Sequence, residues 1–346
     1  KEIHGAEGTR YLELDENEAI KLLGCFGGDR ILAGIRDDLE AFGITFDRWY
    51  SEQGLFDRDE VSAGLKVLKE KGLSYEKDGA VWFRTTDFGD DKDRVLVRSN
   101  GETTYFASDV AYHLEKFSRG FDTVIDVLGA DHHGYVQRMK AVVNGLGRNP
   151  DDLQVILVQL VSLLREGEPV AMSTRSGEFV TLREVVDEVG KDACRFIFLL
   201  RRADSQLDFD LELAKRQSND NPVYYVQYAH ARVCSICRTA EEQGVVTLER
   251  EALDLSCLTL AEELALAKHL ARYPETVINA AQNREPHRVV YFLQELASQF
   301  HSYYNRQRVL VDDPATTQAR LYLVKGVRTV LANALNLLGV DAPERM

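Results

Sequence analysis

No apolar run in the sequence approaches the roughly 20 residues that a helix needs to cross a bilayer; runs such as Val155–Val161 stop far short. A membrane-spanning chain is therefore not expected. Cysteine is scarce: Cys25, Cys194, Cys234, Cys237 and Cys257 are odd in number and follow no framework spacing. That pattern suggests a reducing compartment, with the cytoplasm as the default. Cys234 and Cys237 form a lone Cys-x-x-Cys inside a helical pattern, without a second pair or a preceding strand, and read as two small residues on a helix rather than a zinc or redox site. Basic charge is also short. Lys and Arg number 42 against 56 Asp and Glu, a net charge of -14, which excludes a uniformly basic nucleic-acid surface but not a local basic face.

What is present points to more than one core. A chain of 346 residues, 45% hydrophobic and 28% charged, is long enough for two domains, or three. Ile35, Leu39 and Phe42 repeat at helical spacing, as do Val61, Leu65 and Leu68. Val81–Phe83 and Val95–Val97 read as short strands, and Asn100-Gly101 between Val97 and Tyr105 predicts a hairpin turn. Thr123–Leu128 and Val155–Val161 are nearly continuous aliphatic runs, as expected of strands covered on both faces. The segment 134–146 between them has room for a helix, so the three form a βαβ unit of a parallel sheet. Ligands of such sheets sit at the carboxyl ends of the strands, which is where Gly129–Gly134 and the loop Arg165–Gly177 are expected to fall.

After about residue 210 the pattern is helical throughout. Asn221 is a plausible cap with Pro222 at the first helical position, and three apolar stripes follow: Val226, Ala229, Val233 and Ile236; Val289 to Phe300; Leu321 to Leu338. Residues 218–346 hold 13 basic and 15 acidic residues, so most of the net negative charge lies earlier; His287–Arg308 carries Arg288, Arg306 and Arg308 against the single acid Glu295.

Three segments carry candidate chemistry. Met172, Ser173, Thr174 and Arg175 sit in a glycine-flanked loop after an apolar strand, ahead of a helix opened by Thr181 and Leu182. Tyr105 and Asp109 lie four apart, on one face if a helix begins there. A carboxylate beside a phenol is a fitting reader of a planar guanidinium, although the same residues would suit a helix cap with a core tyrosine. Gly129, Asp131, His132 and His133 follow a strand, where a small residue lets a ligand approach the backbone and polar side chains reach sugar hydroxyls. Two histidines adjacent in sequence chelate awkwardly, so no bound structural metal is expected.

Together these segments resemble class I aminoacyl-tRNA synthetases of the arginyl branch. The loop at 171–175 is similar to that class's mobile Lys-Met-Ser-Lys-Ser loop, with Ala171 and Thr174 in place of both lysines, and Thr104–His113 resembles the arginine-recognition segment. The resemblance implies an α/β fold followed by an all-α one: the second half of a Rossmann-type parallel-sheet catalytic domain with an inserted segment and stem-contact helix over 1–212, then a helical-bundle anticodon-binding domain over 213–346. It implies arginine–tRNA ligase activity through arginyl-adenylate, with L-arginine, tRNA(Arg) and ATP accompanied by Mg2+, in a monomer. By the same resemblance Tyr105 and Asp109 bind arginine, Gly129, Asp131, His132 and His133 the adenosine, and residues 172–175 stabilise the departing pyrophosphate. Tyr228, Tyr304 and Met346 would hold unstacked anticodon bases. The His-x-Gly-His element of the class is matched neither at Ile3–Ala6 nor at His132–Tyr135. A C-terminal part of such an enzyme, inactive alone, is the expectation, with a stand-alone tRNA-binding module as the alternative.

Overall fold

The computed structural model describes residues 5, 8–170 and 180–346. In chain order come α1 (Glu16–Ala41), α2 (Gln53–Asp57), α3 (Glu60–Glu70), β1 (Ser74–Lys77), β2 (Ala80–Phe83), β3 (Arg94–Val97), α4 (Tyr105–Ser118), β4 (Val124–Gly129), α5 (Tyr135–Gly145) and β5 (Leu153–Val158). Next are β6 (Val161–Arg165), β7 (Glu168–Pro169), α6 (Leu182–Val189), α7 (Lys191–Phe198), β8 (Leu207–Asp210) and α8 (Leu211–Lys215). The remainder is helical: α9 (Pro222–Glu242), α10 (Ala261–Ala271), α11 (Tyr273–Asn283), α12 (His287–Arg306) and α13 (Pro314–Leu337). Two compact units divide the chain, Phe46–Val161 with Ala203–Leu207, and Lys1–Thr45 with Ser162–Arg202 and Asp208–Met346.

In the first of these, β4, α5 and β5 form the expected βαβ unit, with β4 and β5 paired in parallel from Val124↔Leu153 to Gly129↔Val158. Its core gathers Leu68, Phe83, Leu96, Val110, Val142 and Leu153, all fully buried, each such side chain contributing about 1.5–3 kcal/mol relative to exposure. Gly64 lets α3 lie against α4: a Cβ there would stand 3.3 Å from the Ala111 Cα.

Three sequence expectations need correction here. First, successive strand residues face opposite ways; Val124 is buried with the core, but Ile125 and Val127 are 47% and 64% exposed. An aliphatic run thus marked a strand covered on one face only. Second, the Asn100-Gly101 turn forms, closed by Arg98 N–H donating to the Glu102 carbonyl at 2.8 Å, with Gly101 alone at positive φ. Its return arm is a single bridge, Val97↔Thr103, rather than a strand, because Thr104 turns its hydroxyl onto the Val95 and Leu96 carbonyls and starts α4. Third, Val155–Val161 is not one strand. It ends at Val158, and Val161 opens β6 of a separate sheet ordered β7-β6-β8. Gly129–Gly134 does leave the carboxyl end of β4, but the chain after Arg165 makes a hairpin turn of that other sheet, with Glu166 and Gly167 both at positive φ. Aliphatic composition signals strands without revealing where the pairing partner changes.

In the second unit, α6 begins with the capping box Thr181/Glu184. Asn221 caps α9 by accepting from the Val223 N–H, and its amide donates to the Ala214 and Arg216 carbonyls. The three apolar stripes are buried and meet one another. Glu263 is fully buried among them, where its carboxylate accepts from Arg320 Nε at 2.8 Å, the Tyr303 hydroxyl at 3.2 Å and the Leu260 N–H at 3.0 Å. The last residues are stitched down: Gln227 donates to the Asp192 carboxylate and the Asp341 carbonyl, and His230 Nδ1 stands 2.9 Å from the Pro343 carbonyl oxygen. Cys194, Cys234 and Cys237 are buried free thiols, and burial raises the pKa of each, that of Cys194 to about 11. Packing, not reactivity, is what such an environment favours.

Candidate arginine-recognition groove and anticodon surface

A groove of about 830 Å³ runs along α4 and β4. Thr104 occupies the cap position of α4, which leaves Tyr105, 78% exposed, as the first helical residue, and places Asp109 and His113 one and two turns further along the same face. All three line the groove. A helix cap with a core tyrosine is thus not what these residues form.

Asp109 is half-buried, and its carboxylate makes no hydrogen bond or ion pair among the described residues. Burial raises its pKa against the pull of His113 and Lys116, and Glu52 and Asp126 add to the rise. Below it the cations are already engaged. Lys116 Nζ donates to Asp126 Oδ1 at 2.6 Å, and His113 reaches Asp126 Oδ2 through Nε2 at 2.9 Å, its Nδ1 lying 2.8 Å from the Asp109 carbonyl oxygen. Burial works to raise Asp126 as well, but His113 and Lys116 outweigh it and hold this carboxyl at about 2. Two acids on one groove therefore differ: Asp126 is neutralised from within, and Asp109 is a desolvated acceptor without a cation. A carboxylate left without a described cation in this way can accept a positive group.

Of the strand-end segment, His132 lines the groove, with its ring 5.7 Å from that of Tyr135. Gly129, Asp131 and His133 do not line it, and Asp131 and His133 are exposed beside it. A Cβ at Gly129 would meet the Asp131 carboxylate at 2.5 Å. Met172, Ser173, Thr174 and Arg175 lie outside the described residues.

In the helical unit, Tyr228 on α9 and Tyr304 on α12 share a partner that sequence reading passed over. The Arg232 guanidinium lies 4.4 Å from the centroid of the Tyr228 ring and 4.7 Å from that of Tyr304. Its spacing of four from Tyr228 was the available signal. Tyr304 is 39% exposed, whereas its neighbour Tyr303 is fully buried. Met346 is exposed at the end of the stitched terminal segment. Beside Tyr304 a groove of about 470 Å³ is lined by Arg306 and Arg308.

The family described as tRNA synthetases class I (R), catalytic domain, matches residues 30–208, more than half of the chain. The chain belongs to the arginyl-tRNA synthetase family. The DALR anticodon binding domain family matches residues 226–346, so the parallel-sheet catalytic part and the helical anticodon-binding part succeed one another as the sequence implied. An arginine–tRNA ligase of Syntrophotalea carbinolica is 71% identical over the whole chain, and one of Geobacter sp. strain M21 is 63% identical over 98% of it. The chain spans 62% and 61% of those two synthetases' lengths. A Campylobacter jejuni crystal structure assigned as an arginyl-tRNA synthetase superposes with a TM-score of 0.88 at 33% identity, covering all of this chain and 74% of that one. Among the described residues no helix is long and apolar enough to cross a membrane.

Proposed function

We propose that the full-length protein is an arginine–tRNA ligase that activates L-arginine with ATP, as its Mg2+ complex, and transfers it to tRNA(Arg). The observation that carries this reading is the uncompensated Asp109 carboxylate in the groove of α4, one helical turn from the exposed Tyr105. Asp109 takes the guanidinium by paired charge-assisted hydrogen bonds, and Tyr105 frames the amino acid. His132 reaches the adenosine from the groove wall, with Gly129, Asp131 and His133 completing the segment. The arginine carboxylate attacks the α-phosphate of ATP and pyrophosphate leaves; Met172, Ser173, Thr174 and Arg175 meet the charge that builds on it. The arginyl group then passes to the tRNA and AMP is released.

Tyr228, Tyr304 and Met346 hold unstacked anticodon bases, while Arg306 and Arg308 meet phosphates. The functional division falls near residue 212, and the protein works as a cytoplasmic monomer. A tRNA-binding module without catalysis is the weaker reading, since a catalytic family and an anticodon-binding family match one chain in succession. ATP–pyrophosphate exchange with arginine and tRNA(Arg) is the test. The full-length protein should exchange and the 346-residue chain should not; absence of arginine-dependent exchange in the full-length protein refutes the reading.

A further inference from the structure

Arg232 is held between the rings of Tyr228 and Tyr304 by a residue on the facing helix. Its Nη1 lies 3.2 Å from His301 Nδ1, and its Nη2 donates to the Tyr228 hydroxyl at 2.8 Å. The other imidazole nitrogen, Nε2, is 3.2 Å from the Tyr225 carbonyl oxygen. A carbonyl only accepts, so Nε2 carries the hydrogen and Nδ1 keeps its lone pair; a guanidinium only donates, so that lone pair is what Arg232 requires. His301 is 7% exposed, and the centroid of its imidazole lies 4.6 Å from that of the Tyr225 ring. The groups facing it are Tyr225, Tyr228 and Arg232 from α9 and the Phe300 ring from its own helix, with no carboxylate among the described residues in contact with it.

We propose that His301 is the positioning residue of the anticodon surface: its neutral imidazole fixes the Arg232 guanidinium between Tyr228 and Tyr304, and protonation of Nδ1 releases it, so RNA binding weakens in acid. The proposal rests on the anticodon-binding reading of the helical unit. A protonated Nδ1 would turn a hydrogen towards a donor and set two positive charges 3.2 Å apart, with no carboxylate to offset them. Burial lowers the His301 pKa, the Tyr225 carbonyl opposes that, and the Arg232 charge lowers it further. The release therefore lies on the acid side of the ordinary histidine value of about 6.5. A freed guanidinium no longer aligns the two rings, and a base that stacks on them loses a prepared surface.

The experiment uses the whole chain and an anticodon stem-loop RNA with an arginine anticodon, with affinity measured at fixed salt from about pH 8 to about pH 5. His301→Phe keeps a ring but offers no acceptor, and should weaken binding at neutral pH about 10-fold, the scale of one charge-assisted hydrogen bond. His301→Gln carries both an acceptor and a donor and does not titrate; it should bind as the parent does at neutral pH and lose the acid-side decline. Wild-type affinity in His301→Phe, or a wild-type pH profile in His301→Gln, overturns the proposal. Nitrogen-15 NMR without RNA supplies an independent reading: the Arg232 Nη hydrogens should exchange slowly in the parent and His301→Gln and rapidly in His301→Phe. If no protein binds RNA yet this pattern holds, the anticodon reading fails and His301 remains the residue that positions Arg232. Equal exchange in all three removes that role.

Discussion

Asp109→Asn keeps the shape of the side chain and removes the charge on which the proposed reading of the groove rests. The carboxylate is half-buried, has no partner among the described residues, and has a pKa raised first of all by burial. A guanidinium held by two charge-assisted hydrogen bonds, each worth about 1.5–3 kcal/mol, would lose one bond and the charge on the other. Allowing for the open side of the groove, the loss should be about 3 kcal/mol, on the order of 100-fold in KM for arginine, with KM for ATP nearly unchanged. Stability should move the other way. A carboxyl whose folded pKa is raised costs the fold its desolvation above that pKa, and the cost disappears as pH falls below the unfolded value of about 3.9. Asp109→Asn should therefore have a Tm equal to or above the parent at neutral pH, with the difference closing on acidification. Steady-state kinetics of the full-length protein gives the first number and thermal denaturation across pH the second. An unchanged KM for arginine together with a lowered Tm would mean that Asp109 supports the fold and reads no guanidinium.

Arg320→Ala strips the cation from the fully buried Glu263 and should cost about 3–5 kcal/mol, a Tm drop of about 10 °C for the helical unit; a loss below about 1 kcal/mol would mean that Tyr303 and the Leu260 N–H suffice for that carboxylate. Gly339 sits at φ +69, where a Cβ would meet the Arg195 guanidinium at 2.6 Å, so Gly339→Ala should cost about 1–2 kcal/mol from the backbone alone and break the bond from Arg195 to the Leu338 carbonyl; a neutral effect in urea denaturation refutes the clash. Tyr304→Ala should weaken binding of tRNA(Arg) by about 1–3 kcal/mol with little change in salt dependence, whereas Arg306→Ala should flatten the salt slope by about one. Equal loss for every tRNA with a large fall in Tm would assign Tyr304 to the core.

Much of the layout was legible because local chemistry and the fold agree. Asn221-Pro222 announces α9, Thr181 with Leu182 announces α6, and the stripes of α9, α12 and α13 fall on buried faces. The misreadings share a cause. Ile125 and Val127 look the same in sequence whether or not an element lies over them, Val155–Val161 does not reveal that its last residue changes sheets, and Asn100-Gly101 fixes a turn while leaving its return arm free to become strand or helix. The pair Tyr105 and Asp109 was legible from its spacing of four, but the balance beneath it was not. That Asp126 is satisfied by His113 and Lys116 while Asp109 is left open depends on a strand residue 10 to 17 positions further on folding against α4. Arg232 was missed for a related reason: its second ring, Tyr304, arrives from another helix.

In α12 a phenol sealed in the core and a phenol offered to solvent are consecutive, Tyr303 beside Tyr304. Each residue turns a helix by about 100°, so inserting or deleting one position between His287 and Tyr303 would present a different residue to Glu263 and a different one to Arg232 at the same time. Substitutions along the exposed side of this helix are inexpensive, but a change in its length upstream of Tyr303 cannot be absorbed locally. Among descendants of such a sequence, α12 should drift in composition while keeping its residue count, and insertions should collect instead in connections such as residues 244–260, where no such pair of rings depends on the register.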